Sequence, residues 1–114
     1  MSEVKASYDG QGVPLTIEAF KNRPCGLGIE HPDFVRPTPQ EVKGLRNLLG
    51  FSQVDVAKLT GVKWNDKGAS SVRKWETVEG KEMRSILPSS WQLMLLKAGL
   101  IVIEPVKINY DKTQ

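Results

Sequence analysis

A chain of 114 residues is long enough to bury one hydrophobic core and too short for two independent ones. Its 39% hydrophobic and 25% charged residues are the proportions of a soluble globular domain, and no apolar run approaches the roughly 18 residues that span a bilayer. A single cysteine, Cys25, and a single histidine, His31, exclude an internal disulfide and a Cys/His zinc site assembled within one chain.

The opening residues, MSEVKASYDG, lack the basic-then-apolar layout of a secretory signal, so a cytoplasmic protein without membrane, metal or cofactor is expected. Nothing around Cys25 and His31 supplies an oriented base or an oxyanion hole, and Gly26 and Gly28 give only a G-x-G without a flanking strand and helix. No convergent pair of titratable groups is visible, which argues against an enzyme. The charge is unevenly placed. Residues 38–84 hold nine basic and six acidic groups, while 1–37 hold four and five and 85–114 three and two. The middle of the chain therefore carries the formal +3, a modest surplus of the kind that attracts phosphates.

Residues 1–37 are broken by Gly10, Gly12, Pro14, Pro24, Gly26, Gly28, Pro32 and Pro37, too often for long regular elements. They read as an N-terminal arm or flap. Thr16 can cap a short helix through IEAFKN before Pro24, while VPLTI can equally pair as a strand, and periodicity does not separate the two.

The pattern changes at Thr38, where the domain of residues 38–100 begins. Thr38 can cap, Pro39 suits the first helical position and Glu41 puts negative charge at the positive end of a helix. Val42, Leu45, Leu48 and Leu49 then form one apolar face, and Gly50 ends the helix at about 39–49. Ser52 is the next cap, with Gln53 and Asp55 in the first turn, Val56, Ala57 and Leu59 on the buried side, and Gly61 as the stop. Two helical turns are unstable alone and must be held by packing.

A third helix is predicted to begin near Gly68, with Val72 and Trp75 on one face. Residues 77–87 read as a loop, and Pro88 with Ser89 or Ser90 opens a fourth helix through SSWQLMLLKAG, closed by Gly99. The helical spacing of Trp75 and Trp91 places both in the core. The last segment, 101–114, contains most of LIVIEPVKI, β-branched enough for a short strand until Pro105, and then a polar tail.

The stretch TPQEVKGLRNLLGFSQVDVAKLTGV, followed by SSVRKWE, resembles the Cro/C1-type helix-turn-helix family of phage, plasmid and bacterial regulators. The marks are Leu45 and Arg46, Ser52 and Gln53, Ala57, Gly61 and Val62, and Val72, Trp75 and Glu76, covering roughly a third of the chain. The resemblance implies a mainly α, four-to-five-helix, lambda-repressor-like domain. Independently of that resemblance, a small residue at Ala57 suits a close helix crossing and Gly61 suits a positive-φ turn.

By resemblance the third helix enters the major groove, with Ala69, Ser70 and Lys74 facing bases. Ala69 suits a thymine methyl, Ser70 several base edges, and Lys74 guanine acceptors or a phosphate. Gln53, Ser71 and Arg73 are expected at phosphates; Gln53 as a plain capping residue and Arg73 and Lys74 as merely solvated charges are the alternatives. The chain departs from the family between Val62 and Ser70, where WNDKG looks like an insertion of about five residues. That loop either presents Lys63, Asn65 and Lys67 to DNA or is neutral, and Trp64 either stacks or, as the favoured reading, anchors the loop in the core. Lys81, Arg84, Ser89 and Ser90 are weaker candidates for clamping flanking phosphates, opposed by Glu79 and Glu82.

The expected function is sequence-specific binding of double-stranded DNA by a homodimer at an inverted repeat, as a repressor, since one short helix reads too few bases alone. The apolar tail and the arm are candidate dimer surfaces or covers for the monomer's own core. The alternative is a protein-protein adaptor or antitoxin-like partner on the same fold. It gains if Arg73, Lys74 and Gln53 are buried or neutralised by Glu79 and Glu82.

Overall fold

A computed structural model describes residues 12–107, and they are mainly α-helical. Five α-helices occur among them: α1 (Ile17–Phe20), α2 (Pro39–Leu49), α3 (Gln53–Thr60), α4 (Ser70–Trp75) and α5 (Pro88–Ala98). A 3-10 turn, Pro24–Gly26, interrupts the connection between α1 and α2, and among the described residues there is no β-strand beyond an isolated bridge, Asn65 to Gly68.

Local chemistry sets the helix ends. At the start of α2 the Thr38 hydroxyl accepts from the Glu41 N–H (3.1 Å) while the Thr38 N–H donates to the Glu41 carboxylate (2.8 Å), satisfying two otherwise orphaned donors. Ser52 and Asp55 repeat the arrangement at α3, at 3.0 and 2.9 Å, and the backbone N–H of Ser52 holds the Asp55 carboxyl below its ordinary range. Gly61 ends α3 at φ +88°, a left-handed conformation that other residues adopt only with strain. The third helix starts at Ser70, two residues later than expected, because Gly68 at φ +136° cannot be helical and Ala69 is still extended.

The core gathers one face of each longer helix. Val42 and Leu45 of α2, Val56 and Ala57 of α3, Val72 and Trp75 of α4, and Trp91, Met94 and Leu95 of α5 are buried together. The short α3 packs on both α4 and α5, and α2 packs on α5, which supplies the support that two helical turns lack by themselves.

Within residues 12–37 the expected arm contributes Phe20 and Cys25 to this core. Of the two readings around Thr16 the helical one forms, with the Thr16 hydroxyl accepting from Ala19. Phe20 and Cys25 are both buried; the Phe20 ring lies 6.4 Å from that of Trp91, and the Trp91 Nε1 donates to the Cys25 carbonyl at 2.7 Å. A side chain on Gly26 would collide with the Phe20 carbonyl, so this turn closes tightly only with glycine. Arg23 fastens the segment to α2, pairing with Glu41 at 2.7 Å and donating to the Gly12 carbonyl. Proline and glycine spacing reported the lack of long elements correctly and hid the burial.

The expected C-terminal strand does not form within residues 101–107. A strand needs a neighbouring edge to receive its backbone groups, and no described element offers one. Leu100 and Ile101 pack partly on the core, while Val102, Ile103 and Val106 stay exposed. Residues 1–11 and 108–114, the ends of the expected arm and tail, lie outside the described residues. Among the described residues no helix is long and apolar enough to cross a membrane.

Candidate nucleic-acid interface

Three helices converge on an ion-pair network that sets the geometry of α3 and α4. Glu76, the residue that closes α4, accepts from Arg46 of α2 through both Nε (2.6 Å) and Nη2 (3.0 Å), and from Nε2 of Gln53 at the start of α3 (3.0 Å). The remaining Arg46 nitrogen, Nη1, donates to the Phe51 carbonyl at 3.0 Å. The Arg46 and Glu76 side chains are only 13% and 5% exposed, so this forked pair is shielded from competing water. Gln53 is thus neither a capping residue, which Ser52 is, nor a side chain with a free amide: its amide nitrogen is committed to Glu76.

Beside this network the start of α3, the Lys63–Ala69 loop and the start of α4 enclose a cleft of about 320 Å³. Its lining is Gln53, Lys63, Trp64, Asn65, Lys67, Gly68, Ala69, Ser70 and Arg73. Most residues proposed from sequence for DNA contact therefore come together on one surface. Three of the lining residues are cationic and none is acidic. Ser71 and Lys74 lie on α4 outside this lining, both half-buried.

Two sequence expectations about this surface change. Ala69 is 3% exposed and belongs to the core, leaving its methyl almost no area to offer a base; being the last extended residue before α4, it turns inward where Ser70 turns out. Trp64, expected to anchor the loop internally, is 49% exposed, with the Lys58 Nζ 4.7 Å from its ring centroid. The loop holds itself instead, through paired backbone bonds between Asn65 and Gly68 (2.9 and 3.0 Å) and a bond from the Lys67 N–H to the Asn65 side chain (2.8 Å), so no core anchor is required. Trp75 and Trp91 are buried as expected.

The charges of α4 are partly answered from within the chain. Arg73 pairs with Glu82 of the following loop at 2.9 Å, both side chains more than half exposed. That hydrogen bond, with the nearby Arg73 and Lys74 charges, holds the Glu82 carboxyl below its ordinary range. Arg84 turns back on its own loop, donating to the Lys81 and Met83 carbonyls at 2.8 Å each. Ser90 is buried at 4% exposure, which removes it from the residues considered for a flanking phosphate clamp; Ser89 is exposed.

Arg46 and Glu76, each a separate mark of the helix-turn-helix in the sequence, meet across thirty positions in the fold. Their being opposite charges on the first and third predicted helices of the domain was the available signal. Compared with protein-family models, with curated proteins and with solved structures, the chain matches none.

Proposed function

We propose that the protein is a sequence-specific double-stranded DNA-binding regulator of the Cro/C1 helix-turn-helix type, acting as a repressor, with α4 entering the major groove. The observation that carries the reading is the acid-free cleft at the α3–α4 turn, where Lys63, Lys67 and Arg73 gather beside the exposed Ser70. Cations on this side of a helix-turn-helix suit the phosphate backbone, and hydroxyl and ammonium groups on the outer face of α4 suit base edges. Ser70 and Lys74 are the base-reading side chains; Arg73, Ser71, Lys63, Asn65 and Lys67 meet phosphates, together with Gln53, whose backbone N–H opens α3. A homodimer on an inverted repeat multiplies the limited discrimination of one short helix.

The adaptor reading is favoured by the Arg73–Glu82 pair, which neutralises one of the three cations of the cleft, and by the commitment of the Gln53 amide to Glu76. Binding of fluorescent duplex to the purified protein, at several salt concentrations and against selected and scrambled sequences, separates the two readings. A regulator binds the selected duplex more tightly and loses affinity steeply with salt. An adaptor shows no sequence preference.

A further inference from the structure

We propose that the Lys63–Gly68 loop is a second DNA-contacting element, in which Trp64 lies flat against the sugar–phosphate backbone of one strand while Lys63 and Lys67 hold the phosphates on either side of it. This rests on the DNA-binding reading above, which already gives Lys63 and Lys67 phosphates, and deepens it by giving the exposed indole between them a role.

Exposure is the first observation. Among the three tryptophans, Trp75 and Trp91 are buried at 5% and 0%, whereas Trp64 is 49% exposed. A large aromatic left in water forgoes the stabilisation that burial gives, and here it stands at the edge of a cleft instead of in the core. Lys58 reaches over the ring at 4.7 Å from its centroid, fixing the indole from the α3 side while half of its surface stays open.

Rigidity is the second. The loop tip is closed by the reciprocal Asn65–Gly68 backbone bonds and by the Lys67 N–H bond to the Asn65 side chain, so the backbone of the tip has little ordering entropy left to lose on binding. Asp66, at the tip, is exposed and does not line the cleft.

Chemistry is the third. The cleft joins an aromatic plane, three cations and two side-chain amides, with no carboxylate on its wall. A deoxyribose between two phosphates meets all of these groups at once: an apolar sugar face for the indole and anionic oxygens for the ammonium groups.

The test uses the full chain and a mixed-sequence duplex of about 30 base pairs, long enough for about three turns of the helix. Affinity is measured across salt for the wild type, Trp64→Ala, Trp64→Phe and Lys63→Ala/Lys67→Ala, and tryptophan quenching by acrylamide is followed with and without duplex. Trp64→Ala is expected to weaken binding about tenfold, Trp64→Phe to restore most of the loss, and the double lysine variant to flatten the log–log salt slope by about two, roughly 0.9 for each phosphate released. Duplex is expected to shield the acrylamide-accessible fluorescence, which disappears in Trp64→Phe. If the wild type binds duplex but the variants bind equally well with the same slope, or if Trp64 remains accessible in the complex, the loop assignment is overturned while DNA binding stands. If the wild type binds no duplex and instead retains a polyglutamate probe in a lysine-dependent manner, both readings fall.

Discussion

Glu76 accepts hydrogen bonds from two residues of two other helices, and its removal is expected to be costly. Truncation to alanine leaves the shielded Arg46 guanidinium without its partner, for which about 3–5 kcal/mol is the expected loss. A paired replacement, Arg46→Met with Glu76→Leu, removes both charges and is expected to cost much less than the sum of the single variants. Urea denaturation of the four proteins checks this, and additive losses would contradict the coupling. Cys25 gives a second expectation. Burial, with the nearby Glu41 charge, pushes its thiol above its ordinary value of 9.0. Well below pH 9.0 the thiol is protonated in the folded and unfolded chains alike, and its burial contributes fully. As pH rises past that point the unfolded chain releases the proton and the folded one does not, so stability falls. The stability advantage of the wild type over Cys25→Ala is expected to shrink between pH 8 and 10, read from urea midpoints, and native Cys25 is expected to resist alkylation until the chain unfolds.

Charge on α4 is tuned by the loop that follows it. Arg73 can meet a phosphate only if it leaves Glu82 or carries that carboxylate close to the DNA, and either is unfavourable. Glu82→Gln is therefore expected to strengthen binding to every duplex and to steepen the salt dependence by about one, while Arg73→Ala weakens every duplex and flattens it by about one. Lys74→Ala is expected to lower affinity and also change which sequence is preferred, by about 1–3 kcal/mol at the position it reads. Affinities at several salt concentrations for selected and scrambled duplexes separate these effects; identical losses for the Arg73 and Lys74 variants would contradict the division of roles. On α3, Ala57 is fully buried in the helix that packs on both α4 and α5. Ala57→Leu is expected to destabilise the fold by about 1–3 kcal/mol through overpacking and to weaken DNA binding by displacing α4.

Across the whole molecule, what was legible in the sequence was local. Thr38 with Glu41 and Ser52 with Asp55 sit three residues apart and make their caps within one turn, and Gly50, Gly61 and Gly99 end their helices in the left-handed region. Periodicity therefore placed α2, α3 and α5 closely. Missing were the contacts made across distance: Arg46 with Glu76, Arg23 with Glu41, and Phe20 and Cys25 with Trp91. None of these pairs leaves a periodic trace, because their meeting depends on how helices stack and not on spacing along the chain. Trp64 was misplaced for a related reason. An isolated tryptophan in a polar loop has no apolar neighbours from which its direction can be read, and residue type alone favours burial. Of the proposed interface, sequence identified most of the cleft lining but could not reveal that Ala69 turns inward or that Glu82 reaches Arg73.

Selection of duplexes from a random pool by the purified protein, followed by salt-dependent titration of the enriched sequence against its scrambled counterpart, tests the regulator reading most directly. Enrichment of an inverted repeat, with half-sites about 10 base pairs or a multiple apart and tighter binding than the scrambled duplex at every salt concentration, is the predicted result. No enriched sequence, and equal affinities for the two duplexes, would contradict it.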